Sequence, residues 1–252
     1  MIEFSHVGFE RTNQSQALPI LTDVSLSVGL GEMVTFFGPN GCGKSTLLNL
    51  AAGLEYPTVG TIRVDGAATT ADGGKVGFVF QNYQESLFPW LTVRDNVAFP
   101  LEIEGESKES ARKHADEILA LVRLEASVDR YPYELSGGMR QLVAICRAMV
   151  VKPDVLLLDE PCSALDYATT KRVELDMLKL WEQWPCAAIC VSHDVDEAVL
   201  LADRVVVLSP KPGAIKEIIP VNLPRPRTLD MLTSPEFIAC RARVLEAFAY
   251  ER

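Results

Sequence analysis

Gly38-Pro-Asn-Gly-Cys-Gly-Lys-Ser45 satisfies G-x-x-x-x-G-K-[ST] at every fixed position. The flanks give the pattern its meaning. Residues 32–37 form a short apolar run that reads as a strand. Residues 44–52 place Leu47, Leu48, Leu50 and Ala51 on a helix, and Gly53 stops it with a left-handed cap. A strand, a glycine-rich turn and a helix in this order make a phosphate cradle. The backbone of Gly38, Pro39, Asn40, Gly41, Cys42 and Gly43 curls so that N–H groups face phosphate oxygens, and the helix start adds its positive dipole end. Lys44 supplies a point charge for the outer phosphates and Ser45 a hydroxyl for Mg²⁺.

Phosphoryl chemistry also needs an acidic group at the carboxyl end of a buried strand. Val155-Leu-Leu-Leu-Asp159-Glu160 offers four consecutive apolar residues, as a strand covered on both faces requires, ending in two carboxylates. Asp159 is expected to hold Mg²⁺, directly or through water, and Glu160 to polarise an attacking water. Leu135-Ser-Gly-Gly-Met139 opens a further helix over residues 136–150. There Ser136 can cap while Gly137 and Gly138 expose N–H groups to an anion.

The rest of the chain fits an α/β reading. Strands are expected at 22–28, 61–64, 76–80, 155–158, 187–191 and 205–208. Helices are expected at 92–103, 107–124, 169–184, 195–202 and 235–250, with an extended stretch at 223–227 that its prolines impose. The β-α-β-α alternation after residue 153 implies a mostly parallel sheet covered on both sides. Composition agrees: of 252 residues 48% are hydrophobic, too many for a disordered chain, and the longest apolar runs fall far short of the roughly 18 to 20 residues that span a bilayer. A net charge of −10 argues against a nucleic-acid binder that blankets the phosphate backbone, and the first residues lack the pattern of a secretory signal. The six cysteines form no C-x-x-C pair. Reduced thiols and no structural metal are expected.

With the phosphate loop upstream and the acidic pair downstream, Leu-Ser-Gly-Gly-Met-Arg-Gln resembles the signature of the nucleotide-binding subunits of ABC transporters, and the likeness covers nearly the whole chain. Met139 stands where that signature has glutamine, while Gln141 keeps its usual place. The resemblance implies a P-loop NTPase fold in one domain: residues 1–80 and 155–220 as catalytic core with an N-terminal antiparallel β region, about 82–153 as glutamine loop, helical subdomain and signature helix, and 221–252 as tail. It implies ATP and Mg²⁺ as cofactors. The stretch from Gly38 to Ser45, with Thr46, would bind nucleotide. Ser136, Gly137 and Gly138 would grip the γ-phosphate from a second copy in a head-to-tail dimer, and Asp166 of Ser163-Ala-Leu-Asp166 would couple the two sites. Gln81, after Phe80, corresponds to the glutamine loop and metal shell, and His193 of Ser192-His-Asp194 to the switch histidine beside Glu160. Adenine stacking falls to either Phe9 or Arg11.

The aromatic run Leu87-Phe-Pro-Trp-Leu-Thr-Val93 and the tail Leu223-Pro-Arg-Pro-Arg227 are similar to the nitrate, sulfonate and taurine importer branch. The expected partners are therefore integral membrane permease subunits and, indirectly, a solute-binding protein, with the chain held at the cytoplasmic face of the inner membrane and with no nucleic acid. Phe88 and Trp90 read either as core residues or as the lining of a groove for a permease helix. Two other readings compete: a non-transport ATPase switch in cell-wall control or cofactor assembly, and a P-loop kinase, which the Ser136 motif disfavours.

Overall fold

A computed structural model describes residues 1–13, 16–68, 74–82, 86–163 and 165–249. Strands β1 (Ile2–Asn13) and β2 (Gln16–Val28) form a long antiparallel pair that continues through β4 (Val59–Val64) to the short β5 (Ala67–Ala68), in the order β2-β1-β4-β5. The second sheet contains β3 (Met33–Phe37), β6 (Val76–Val79), β7 (Val155–Asp159), β8 (Ala187–Ser192), β9 (Arg204–Leu208) and β10 (Ile215–Pro220), in the order β10-β9-β3-β8-β7-β6. All its pairings are parallel except β9 with β10. The mostly parallel α/β core and the antiparallel N-terminal sheet are both as expected.

Alternation along the central strands divides the core. Val155 and Leu157 of β7 join Val34, Phe36, Ile189 and Val191 in one apolar cluster, under the N-terminal sheet and helix α1 (Lys44–Ala51). Leu156 and Leu158 point the other way, into a larger cluster. This second cluster is roofed by the helices α2 (Val93–Ile103), α3 (Lys108–Leu121), α4 (Gly137–Met149) and α5 (Tyr167–Gln183). Each fully buried Val or Leu of β7 contributes about 1.5–3 kcal/mol to folding, and four such residues in a row, Val155 to Leu158, mark a strand with two covered faces. A third cluster lies where α6 (Val195–Leu201) and α7 (Pro235–Ala249) pack over β9 and β10.

Several boundaries differ from the pattern reading, each for a local reason. The strand expected from residue 22 is the end of β2, and β1, which belongs to the expected antiparallel N-terminal region, has no strand range of its own in the pattern reading. Its period is broken by register shifts around Val7 and Phe9, so no clean alternation runs along it. Thr92 and Ser107 are caps and not the first helical residues, their hydroxyls accepting from Asp95 N (3.2 Å) and Ser110 N (3.3 Å). Helix α5 starts two residues early, at Tyr167, because the Asp166 carboxylate caps it. Strand β10 shows no clean alternation, since a register shift falls between Ile215 and Glu217 and Ile218 lies on its exposed side.

Candidate active site

The sheet order sets the site. Neighbouring parallel strands β3, β8, β7 and β6 end side by side, Phe37 opposite Ser192, Asp159 opposite Val191 and Val79 opposite Leu158. Their carboxyl ends feed, in turn, the phosphate loop, His193, the Asp159-Glu160 pair and Gln81. A crevice at strand ends is where α/β sheets bind ligands.

In the loop, Gly43 precedes α1 with φ 108°, and a Cβ there would lie 2.6 Å from a Leu21 methyl, so the turn requires glycine on both counts. Lys44 is buried. Its ammonium donates to the carbonyls of Gly38 (2.8 Å) and Pro39 (3.0 Å), which folds the side chain across its own loop. Gly41 and Ser45 are exposed, and Thr46 is half-buried in the first turn. The Ser45 hydroxyl donates to Asp159 Oδ1 at 3.2 Å and joins the loop to the acidic strand. Asp159 is 8% exposed, and burial pushes its carboxyl above the usual range, an effect the Ser45 hydrogen bond partly opposes.

Glu160 turns away from its neighbour because its backbone is left-handed (φ 46°). Its Oε2 accepts from Gln81 Nε2 at 3.0 Å and lies 3.2 Å from His193 Nδ1. Three residues that the sequence placed far apart thus meet at one carboxylate oxygen.

The remaining expected residues stand apart. Ser136 caps α4, its hydroxyl accepting from Met139 N at 3.3 Å, with Gly137 and Gly138 opening the helix. Among the described residues no hydrogen bond joins this turn to the phosphate loop. Met139 packs against the larger core cluster, a job for an apolar side chain that glutamine does less well. Asp166 spends both oxygens on Thr169, accepting from its N–H (3.0 Å) and hydroxyl (2.6 Å). These bonds hold its carboxyl below the usual range. Phe9 packs against the core under the N-terminal sheet, and the Arg11 guanidinium donates to Glu55 at 2.8 Å.

Phe88 of the aromatic run lines a groove of about 470 Å³ together with Phe80, Asn82, Ser86, Phe99, Pro100 and Arg147. Residues 83–85 lie outside the described residues. Phe88 meets Trp90 and Phe99 at ring distances of 5.4 and 4.9 Å, and Trp90 is 70% exposed. Two polar residues that sequence reading missed shape this groove. Asn96 is fully buried on α2, its amide nitrogen 3.0–3.1 Å from the carbonyls of Phe88, Leu91 and Thr92, which share its protons, and its Oδ1 accepting from Phe88 N at 2.8 Å. Arg147 donates to the Ser86 carbonyl and hydroxyl at 2.7 and 3.0 Å, and its guanidinium lies over the Phe88 ring. An arginine at a position of α4 that its neighbours leave apolar is the signal that was there to be read.

A phosphate loop, an acidic strand end and a carboxylate held by glutamine and histidine define a P-loop ATPase. The model of the family described as ABC transporter matches residues 21–163. The chain belongs to that family. It is 45% identical over 229 residues to the aliphatic sulfonates import ATP-binding protein SsuB of Bacillus licheniformis, covering 91% of this chain and 87% of that one. It is 45% identical over 223 residues to the nitrate import ATP-binding protein NrtD of Synechocystis, covering 86% and 83%. Among solved structures, the dimeric post-hydrolysis state of the ATP-binding cassette MJ0796 bound to ADP and Pi matches with a TM-score of 0.77 and 32% identity, over 88% of this chain and 100% of that one.

Proposed function

We propose that the chain is the ATP-hydrolysing subunit of an importer for a small solute of the nitrate, sulfonate or taurine kind, docked on integral membrane permease subunits. The observation that carries the membrane partner is the aromatic groove beside Gln81, because exposed rings held rigid by Asn96 and Arg147 suit the apolar face of a partner helix. No helix among the described residues is long and apolar enough to cross a membrane, so attachment at the cytoplasmic face would run through the permease. A solute-binding protein would deliver the solute from the other side.

Within the site, the loop from Gly38 to Thr46 would bind the phosphates of ATP. Mg²⁺ fits the oxygens of Ser45, Asp159 and the free amide carbonyl of Gln81, since a buried carboxylate raised by desolvation is one that a cation would relieve. A Mg²⁺ ion held by these residues would supply charge neutralisation for the phosphates of ATP. Glu160, oriented by Gln81 and His193, would take the proton of the attacking water. Ser136, Gly137 and Gly138, unconnected to their own chain's phosphate loop, suit a head-to-tail dimer in which they complete the partner's site, with Asp166 at the junction. On this reading residues 1–252 form one ATPase domain.

The test is capture from detergent-solubilised membranes of native cells with tagged Glu160→Gln chain, with and without Mg-ATP. A multi-span permease is expected to copurify, and the double substitution Phe88→Ala with Trp90→Ala is expected to lose it while nucleotide binding persists. Recovery of only soluble assembly proteins or cell-wall regulators would sink transport and favour the switch.

A further inference from the structure

Beside the turn that carries His193 lies a buried polar cluster drawn from four segments: Cys162 after β7, Lys171 and Glu174 on α5, Ser192 at the end of β8, and Glu197 on α6. Lys171 donates to both Glu174 oxygens at 2.9 Å. Cys162 Sγ and oxygens of Glu174 and Glu197 lie within 4.8 Å of one another, and the Lys171 ammonium already supplies the positive charge such a group would otherwise draw from a metal.

A count of protons at Ser192 separates the states of Glu197. The Ser192 hydroxyl has three polar neighbours: Asp194 N, which donates to it at 3.0 Å, the Asp194 carbonyl at 3.1 Å, and Glu197 Oε2 in a short contact. A hydroxyl has one proton to give and two lone pairs to fill. If Glu197 keeps its proton, it donates to Ser192, Asp194 N fills the second lone pair, and the hydroxyl proton goes to the Asp194 carbonyl, so all three contacts are satisfied. If Glu197 is ionised, two acceptors compete for one proton and a contact is lost. His193 sits between the two residues whose backbone and side chains this hydroxyl ties together, and its ring rests 3.2 Å from Glu160.

We propose that Glu197 is a positioning residue for ATP hydrolysis: its protonated carboxyl, through Ser192, fixes the turn that presents His193 to Glu160. The surroundings support the proton. Burial first, then Glu174 and Asp194, push the Glu197 carboxyl from its ordinary 4.5 up to about 8, against the Ser192 and Cys162 contacts. The groups facing it are Glu174 and Lys171 from α5, Cys162 from the loop after β7, Cys190 from β8 and Asp194 at the turn. From α7, Arg241 is taken by Asp196 at 2.7 Å. Because the folded chain holds this proton between about pH 4.5 and 8 and the unfolded chain does not, stability falls as pH rises through that window. The His193 turn loosens at its upper end.

The proposal rests on the ATPase reading, and its test has an arm that does not. Turnover of the full chain is followed from pH 6.5 to 9.5 for wild type, Glu197→Gln and Glu197→Ala, alongside urea unfolding at pH 6 and pH 9. The glutamine variant carries a permanent N–H donor to Ser192. It should keep kcat within about two-fold of wild type at pH 7 and lose the fall in kcat above pH 8. The alanine variant should lose about ten-fold in kcat at every pH, with KM for ATP little changed. Wild-type urea stability should drop from pH 6 to pH 9 more than that of Glu197→Gln. A glutamine variant with the wild-type alkaline fall, or equal stability losses in the two proteins, would overturn the proposal. A wild-type chain that hydrolyses no ATP would instead count against the ATPase reading, leaving the unfolding arm to decide the proton.

Discussion

Glu160→Gln is expected to lower kcat for ATP hydrolysis by about 10²–10⁴, up to about 5 kcal/mol of transition-state stabilisation, with ATP affinity within about two-fold of wild type. The geometry isolates the effect. Glutamine fills the same volume, its carbonyl still accepts from Gln81, and the left-handed backbone at this position already tolerates a side chain of that shape. What is removed is the negative charge, and with it the capacity to take a proton. Because Lys44, Ser45 and Asp159 keep their mutual contacts, nucleotide titration and thermal melting should not distinguish the variant from wild type. Incubated with Mg-ATP and passed over a sizing column with light scattering, the variant should accumulate as a dimer that wild type populates only transiently. Near-normal turnover would remove Glu160 from the role of base.

Gly213→Ala is expected to weaken ATP binding by about ten- to thirty-fold, though Gly213 lies far from the motif in sequence. Its backbone is clamped to β2, donating to the Ile20 carbonyl at 2.8 Å and accepting from Thr22 N at 2.9 Å. A Cβ there would stand 2.1 Å from the carbonyl oxygen of Cys42 inside the phosphate loop. Neither partner is a side chain that can rotate away, so the loop must shift, at a cost of about 1–2 kcal/mol by the usual penalty for overpacking. Isothermal titration with ATP and with ADP checks it. Equal losses for both nucleotides would mean that the shift is felt where their shared phosphates bind, and unaltered affinity would show that the loop yields freely.

These two positions mark how far the sequence could be read. Glu160 was legible because its neighbours in sequence state its setting: four consecutive apolar residues suit a strand covered on both faces, and a carboxylate at such a strand's end needs a reason. Gly213 was not, since its constraint comes from Cys42 and β2, brought near it by the sheet order and by nothing local. The same distinction runs through the rest of the chain. The phosphate loop, β7 and the Ser136 cap announce themselves over a few residues, whereas β1 and β10 are both interrupted by register shifts and have no period for a pattern to catch. Asn96 and Glu197 are buried polar residues whose partners, the Phe88 carbonyl and the Ser192 hydroxyl, lie a few residues earlier, outside the helices that carry them. Sequence shows only a polar residue on a helix.

The interleaved order of the central strands also governs when the protein becomes an enzyme. Synthesis delivers β3, then β6, then β7, but the slot between β3 and β7 belongs to β8, the last of the four to be made. Until residues 187–192 emerge, the phosphate loop and the acidic pair have no common sheet to hold them in register, and His193 does not yet exist. A nascent or truncated chain can carry every glycine of the nucleotide loop and still be unable to consume ATP.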